Sequence, residues 1–287
     1  AAPVSDPQQQ RADGPTRKQL GAWYTPLALV EAVVHEAVFD GARTVLDPAC
    51  GDGRFLRATG LPEQIGVDID PSTPFLHDDS LARDWGTQQF DVIVGNPPYL
   101  NQLSAQTSRG GSSRFGGGPY ADAAAEFLAL AIRLCRPGGR VGLVLPQSLL
   151  STRDAAAIRA AVDSAAALRW MWWSDTRMFD ASVRVWAGVW EVGGEGGPVR
   201  RAYGPDFTEM SPMDMPHTWS GLLTGSSVAA HDGPTLSDIA SFTVDFRDQY
   251  YGLIGAVGDD DGGPPLITSG LIDPGRCWWG ERPELFA

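Results

Sequence analysis

Residues 44–59 read TVLDPACGDGRFLRAT. A short β-prone run gives way to small, acidic and glycine residues, and then to helix formers. That order spells strand, tight turn, helix. In an open α/β sheet, ligands lie beyond the carboxyl ends of the strands. Gly51 and Gly53 let backbone approach a ligand closely, and the start of the following helix offers N–H groups to an anion. Asp47 is placed to face a ligand ammonium. A dinucleotide site calls for G-x-G-x-x-G, which this turn lacks. A plain strand–helix connection is the alternative reading.

The neighbouring sequence repeats the alternation. Upstream, TPLALVEAVVHEAV carries Leu27, Val30, Val34 and Val38 at helical spacing, with Thr25 as expected N-cap and Pro26 as expected first helical residue. Downstream, IGVDIDP and FDVIVGNPPYL read as strands, DAAAEFLALAIRLC as an amphipathic helix, RPGG as a turn and RVGLVLP as a core strand. DAAAIRAAVDSA is again helical, and ALRWMWWS and VRVWAGVWEV are Trp-rich β segments, expected to form an antiparallel edge hairpin. Strand–helix alternation implies an α/β fold around a mostly parallel sheet. Residues 1–19 read as a polar, disordered lead-in, residues 20–230 as the main domain, and residues 231–287 as the start of a second, truncated domain.

The chain has 287 residues and a formal net charge of −13. Lys18 is its single lysine, so nearly all positive charge is arginine. Acidity argues against a nucleic-acid binder, yet phosphates respond to local patches rather than totals. No apolar run reaches the roughly 20 residues of a membrane helix. Cys50, Cys135 and Cys277 are too far apart for a metal knuckle and odd in number, which suits a reducing cytoplasm. The four histidines show no metal spacing, so no metal is expected.

About twenty residues beyond the first turn, Asp68 ends a second strand, where a carboxylate can accept from both ribose hydroxyls. Asp79 sits where a third strand would end and can accept from an adenine amino group. With the first turn, these acids describe a nucleoside bearing an amino-acid tail, S-adenosylmethionine. The strand at 91–95 then runs into Asn96-Pro97-Pro98-Tyr99, which cannot continue a ladder. The Asn96 side-chain carbonyl and the Pro97 backbone carbonyl can be held outward as two fixed acceptors. Two acceptors suit an NH₂ group whose lone pair is delocalised, because bonding both protons favours a pyramidal nitrogen. Tyr99 offers a flat face for stacking, worth ~1–3 kcal/mol per base.

With these motifs the chain resembles the N6-adenine DNA methyltransferases of the gamma arrangement, over about residues 21–192. The resemblance implies a Rossmann-like S-adenosylmethionine-dependent fold with a seven-stranded sheet, acting on an adenine flipped out of double-stranded DNA. It further implies a restriction-modification or phage-defence setting, a bacterial, nucleoid-associated cytoplasmic location, and a cognate restriction or specificity subunit as partner. WYTP at 23–26 matches the leading cofactor segment, which brings in Tyr24 and assigns Thr25 to the cofactor carboxylate. VLDPACGDGRFL matches the cofactor loop, carrying over Asp47, Pro48, Ala49, Cys50, Gly51 and Gly53. GVDID carries over Asp68 and Ile69, and DDSL carries over Asp79 and Ser80, where a bulkier apolar residue is usual. Asn96 belongs to both the cofactor and the catalytic sets. TRMFDASVRVWAGVW matches a late segment in which Phe179 would pack on the target adenine.

Plainer readings stand beside these. Trp170, Trp172, Trp173, Trp186 and Trp190 suit sheet packing better than base stacking. Cys50 suits packing better than nucleophilic attack. Arg109 and Arg114, in the glycine-rich stretch after NPPY, either clamp DNA phosphate or are solvated. Protein glutamine methylation of the release-factor type and RNA base methylation use the same planar NH₂ chemistry. A non-catalytic cofactor- or DNA-binding subunit of a restriction or defence complex is a rival of another class.

Overall fold

The computed structural model describes residues 25–99, 115–118, 121–176 and 183–225, residues 233 and 238, and four two-residue strands between 265 and 286. Two compact units divide the chain, residues 1–229 and 230–287.

In the first unit, helix α1 (Leu27–Ala37) precedes strand β1 (Thr44–Asp47), α2 (Arg54–Thr59), β2 (Glu63–Asp68), β3 (Leu76–His77) and β4 (Phe90–Gly95). Then come α3 (Ala123–Leu134), β5 (Cys135–Pro146), α4 (Ala156–Ala165), β6 (Ala166–Trp173), β7 (Val185–Val192), β8 (Val199–Tyr203), β9 (Thr208–Met213) and α5 (Gly221–Thr224). One sheet runs in the order β3-β2-β1-β4-β5-β7-β6-β8-β9. Strands β1 to β5 are mutually parallel, and β7 lies between β5 and β6, antiparallel to both. The expected mostly parallel seven strands and their hairpin are thus present. Beyond them β8 pairs parallel with β6, and β9 pairs antiparallel with β8, making nine strands. β9 escapes sequence reading because TEMSPM is almost wholly exposed and shows no apolar alternation.

Both faces of the central strands are covered, which explains their near-continuous apolar runs. Val45, Val92, Val94 and Val144 pack with α1 residues Leu29, Val30 and Val33 in one core. Leu46, Ile93, Leu143 and Leu145 pack with α3 and α4 residues such as Leu128, Ile158 and Val162 in the other. Helix α1 begins one residue later than expected: Pro26 is its N-cap and makes no side-chain cap bond. The Pro26 carbonyl instead accepts from Leu29 and Val30 N–H at 3.0 and 3.1 Å. Leu27 is consequently 65% exposed, and the buried stripe is Leu29, Val30, Val33, Val34 and Ala37. Helix α3 is capped by the Asp122 side chain, which accepts from Ala124 N–H. The RPGG turn is absorbed into β5: Phe90 pairs with Cys135 and Val92 with Arg140, so the residues between are looped out of register.

The tryptophans pack the sheet. Trp172, Trp186 and Trp190 are fully buried, and Trp170 and Trp173 nearly so. Trp186 and Trp190 meet edge to face at 5.6 Å, and both touch Trp219, whose indole N–H is held by Asp163 at 2.9 Å. In the second unit β10 (Pro265–Leu266) pairs with β13 (Leu285–Phe286), and β11 (Ile272–Asp273) with β12 (Arg276–Cys277). Among the described residues no helix is long and apolar enough to cross a membrane.

Candidate active site

Four adjacent parallel strands end side by side in the order β3, β2, β1, β4. Asp79 follows β3, Asp68 closes β2, Asp47 closes β1, and Asn96 follows β4. Strands lie about 4.8 Å apart, so this row of polar groups spans about 14 Å.

The β1 turn is built around Asp47, which is 1% exposed and accepts from Ala49 N–H at 3.2 Å. Burial pushes its carboxyl well above the usual carboxylate range, and the nearby Asp68 and Asp52 add to the rise. A Cβ on Gly95, at the end of β4, would lie 2.6 Å from Asp47 Oδ1, so a side chain there would displace the Asp47 carboxyl or the strand end. The Asp47 carboxyl thus occupies the side of Gly95 where a side chain would stand, at the start of NPPY. Gly51 has a left-handed φ of 52° and open space on its Cβ side, so a ligand can approach its backbone. Gly53 differs. Its φ is 76°, but the Phe75 ring fills the volume a Cβ would need, 2.2 Å away. A side chain of the chain itself therefore packs on that side of Gly53.

Asp68 is engaged on both oxygens: Oδ2 accepts from Gly51 N–H at 2.7 Å and Oδ1 from Asp70 N–H at 2.9 Å. Each oxygen keeps a second lone pair. These bonds hold the acid against the loop, while Ile69 beside it is 50% exposed. The Asp79 side chain accepts from Leu81 N–H at 3.0 Å and turns the chain after β3. Ser80 is 2% exposed, and among the described residues its hydroxyl has no partner. Cys50 belongs to one of the two cores, and burial raises its thiol far out of the nucleophilic range, with Asp47 and Asp68 adding to the rise.

In NPPY, Pro97 is buried and Asn96, Pro98 and Tyr99 are half-buried. The Tyr99 hydroxyl donates to the Asn96 side-chain carbonyl and lies 3.2 Å from the Val144 carbonyl of β5. Its ring packs against both cores. Burial raises the phenol well above its ordinary pKa, and the Asp122 charge adds to that. The expected outward acceptor on Asn96 therefore already has a donor from its own loop.

Thr25 is 2% exposed and does not cap α1; its carbonyl accepts from the Arg54 guanidinium. Sequence reasoning passed over Arg54, Asp52 and Phe75. An acid just before a helix start is the signal that could have marked Asp52, whereas a spacing of two residues carries none for its pairing with Arg54. Tyr24, Arg109, Arg114 and Phe179 lie outside the described residues. Among the described residues, no group of three or more His, Cys, Asp or Glu is arranged to hold a metal ion.

The model of the Eco57I restriction-modification methylase family matches residues 63–170. The Type II methyltransferase M.TthHB8I of Thermus thermophilus is 30% identical over 175 residues, which is 50% of this chain and 38% of that protein. M.HincII of Haemophilus influenzae is 26% identical over 152 residues, 49% of this chain and 30% of the relative. This chain thus spans well under half the length of these curated relatives. Among solved structures, a class I S-adenosylmethionine-dependent methyltransferase from Listeria monocytogenes aligns with a TM-score of 0.51 at 18% identity, covering 64% of this chain and 68% of that one. The methyltransferase subunit of a type I restriction-modification system from Streptococcus thermophilus aligns with a TM-score of 0.52 at 21% identity, covering 71% and 52%. The fold is that of the class I S-adenosylmethionine-dependent methyltransferases, and over part of its length the chain is similar in sequence to restriction-modification methylases.

Proposed function

We propose that this protein transfers a methyl group from S-adenosylmethionine to the N6 amino group of an adenine flipped out of double-stranded DNA. The observation that carries the reading is the order of the four strand ends. An acid suited to an adenine amino group, an acid suited to a ribose, a turn suited to an amino-acid tail and a loop suited to a planar amine stand in one row. The three strand ends that face the cofactor lie two strand spacings apart, about 10 Å, with the amine loop one strand further on.

The donor set fits the cofactor. Asp68 retains lone pairs for ribose hydroxyls, and Gly51, whose N–H is taken by Asp68, leaves its Cβ side open. Asp47 is a buried carboxyl short of positive charge, and a cationic ammonium beside it would favour its ionised form. Thr25 supplies the segment assigned to the tail carboxylate. When bound, the cofactor supplies an electrophilic methyl group on a sulfonium. Asn96 and Pro97 accept from the two protons of the target amine, hold the nitrogen pyramidal and stabilise its developing positive charge. The nitrogen would gain the methyl carbon as the methyl–sulfur bond breaks, its electron pair staying on sulfur as a thioether, and would afterwards give up one proton to solvent.

For the base to enter, the Tyr99 hydroxyl yields its place at Asn96 and the ring presents a face. Phe179 packs on the other side, Arg109 and Arg114 contact phosphate, and residues 231–287 contribute to target recognition. A cognate restriction or specificity subunit completes the reading.

The test incubates the chain with methyl-labelled cofactor and either duplex DNA or a release factor. Label on adenine N6, lost in Asn96→Ala, is the expected result. Label on glutamine and none on adenine overturns the DNA assignment.

A further inference from the structure

We propose that Arg54 is a positioning residue of the cofactor site, tying the Thr25 backbone to the β1 turn so that Thr25 is held where the ligand's amino-acid tail is received. The inference rests on the methyltransferase reading above and goes beyond it, because neither the sequence motif nor the fold assigns Arg54 a role.

The guanidinium joins two segments that are 29 residues apart. Its Nε and Nη2 meet the two Asp52 oxygens at 3.1 and 2.7 Å, a forked pairing, while Nη1 donates to the Thr25 carbonyl. The Arg54 N–H also donates to Asp52 Oδ1 at 3.1 Å, and Arg57 Nη1 donates to the Asp52 carbonyl at 2.6 Å, so the anchor itself is held from two sides. Side-chain exposures of 21% for Arg54 and 34% for Asp52 shield the pair in part from solvent. Burial alone would raise the Asp52 pKa; the Arg54 hydrogen bonds and charge outweigh it and keep the acid ionised.

Thr25 needs such an anchor. It is buried, yet it makes no cap bond to α1, and the helix begins only after Pro26. The carbonyl held by Arg54 fixes the one residue by which this segment is assigned to the tail carboxylate. Lysine cannot replace the fork, since it offers a point charge in place of three N–H groups fixed in a plane.

A ligand that carries the tail should feel the loss of Arg54, and one that stops at the 5′ thioether should not. Calorimetric titration of the full 287-residue chain with S-adenosylhomocysteine and with 5′-methylthioadenosine makes this comparison. In Arg54→Gln, S-adenosylhomocysteine binding should weaken by about tenfold, the scale of one hydrogen bond to a charged group. Binding of 5′-methylthioadenosine should stay within about twofold. Arg54→Lys should recover part of the loss, and Asp52→Asn, which leaves Arg54 in place, should show the same selective weakening. Equal weakening of both ligands, or none of either, overturns the positioning role. A wild-type chain that binds neither compound overturns the methyltransferase reading and the inference with it.

Discussion

The Tyr99 hydroxyl donates to the side-chain carbonyl of Asn96 three residues before it, and also approaches the Val144 carbonyl at 3.2 Å. An aromatic residue expected to serve by its ring face is thus engaged by its polar tip. The hydroxyl stands where one proton of an incoming amine would go, so the resting loop satisfies its own acceptor.

Tyr99→Phe separates these roles. The ring remains for stacking, so methylation should stay within about threefold of wild type, while stability falls by about 0.5–1.5 kcal/mol for the lost hydrogen bonds. Tyr99→Ala also removes the stacking face, and its kcat/KM should drop about 10- to 100-fold. Steady-state kinetics on duplex DNA and urea titration check both. A Phe variant as impaired as the Ala variant would make the hydroxyl itself essential.

Asp47 has a folded-state pKa above its unfolded one because burial disfavours the charge. For an acid shifted this way, the unfolded chain releases its proton first as pH rises. Stability therefore falls as pH climbs from about 4 towards the raised value. Asp47→Asn, which keeps an oxygen for the Ala49 N–H, should raise the urea midpoint at pH 7 and weaken S-adenosylhomocysteine binding. An unchanged or lowered midpoint would contradict the burial cost.

At the opposite ends of the strands, Asp91 accepts from Arg43 and Thr44 N–H, each at 2.8 Å, from Thr44 Oγ1 at 3.0 Å, and from the Arg136 guanidinium. Partial burial would raise its pKa, but Arg136 and these donors outweigh burial and hold the carboxyl well below the usual range. This stabilisation is complete above about pH 4 and is lost as pH falls further. Asp91→Ala should cost about 2–4 kcal/mol at pH 7, and less on acidification. Denaturant midpoints between pH 7 and pH 3 measure both. A variant whose deficit does not shrink with acid would point to packing.

Gly95→Ala puts a methyl group 2.6 Å from Asp47 Oδ1, so the Asp47 carboxyl or the ends of β1 and β4 must shift. A loss of about 1–3 kcal/mol is expected, with a fall in transfer rate larger than the fall in cofactor affinity, because Asn96 moves with Gly95. Parallel binding and single-turnover assays compare the two.

Local backbone chemistry carries much of the reading from sequence. DPACGDG marks a strand–helix turn through its glycines, and NPPY ends a strand because proline has no N–H. The apolar strand runs and the alanine-rich helices give the sheet and its layers. Two local expectations shift in the fold. Thr25 is held by Arg54 in place of capping α1, and the space beside Gly53 belongs to Phe75. β8 and β9 are added where the apolar pattern fades, because strand pairing rather than burial holds β9 in the sheet.

The sequence by itself therefore determined where strands stop, where turns bend and which chemistry each stop carries, since these follow from φ restrictions and donors within a few residues. Only the tertiary structure decided which stops are neighbours and which side chains are already spoken for. Asp79, Asp68, Asp47 and Asn96 form a row because β3, β2, β1 and β4 pair in that order. Tyr99 finds Val144 45 residues away because β4 and β5 are adjacent. Such partnerships depend on distances through space of a few ångströms, which spacing along the chain does not encode.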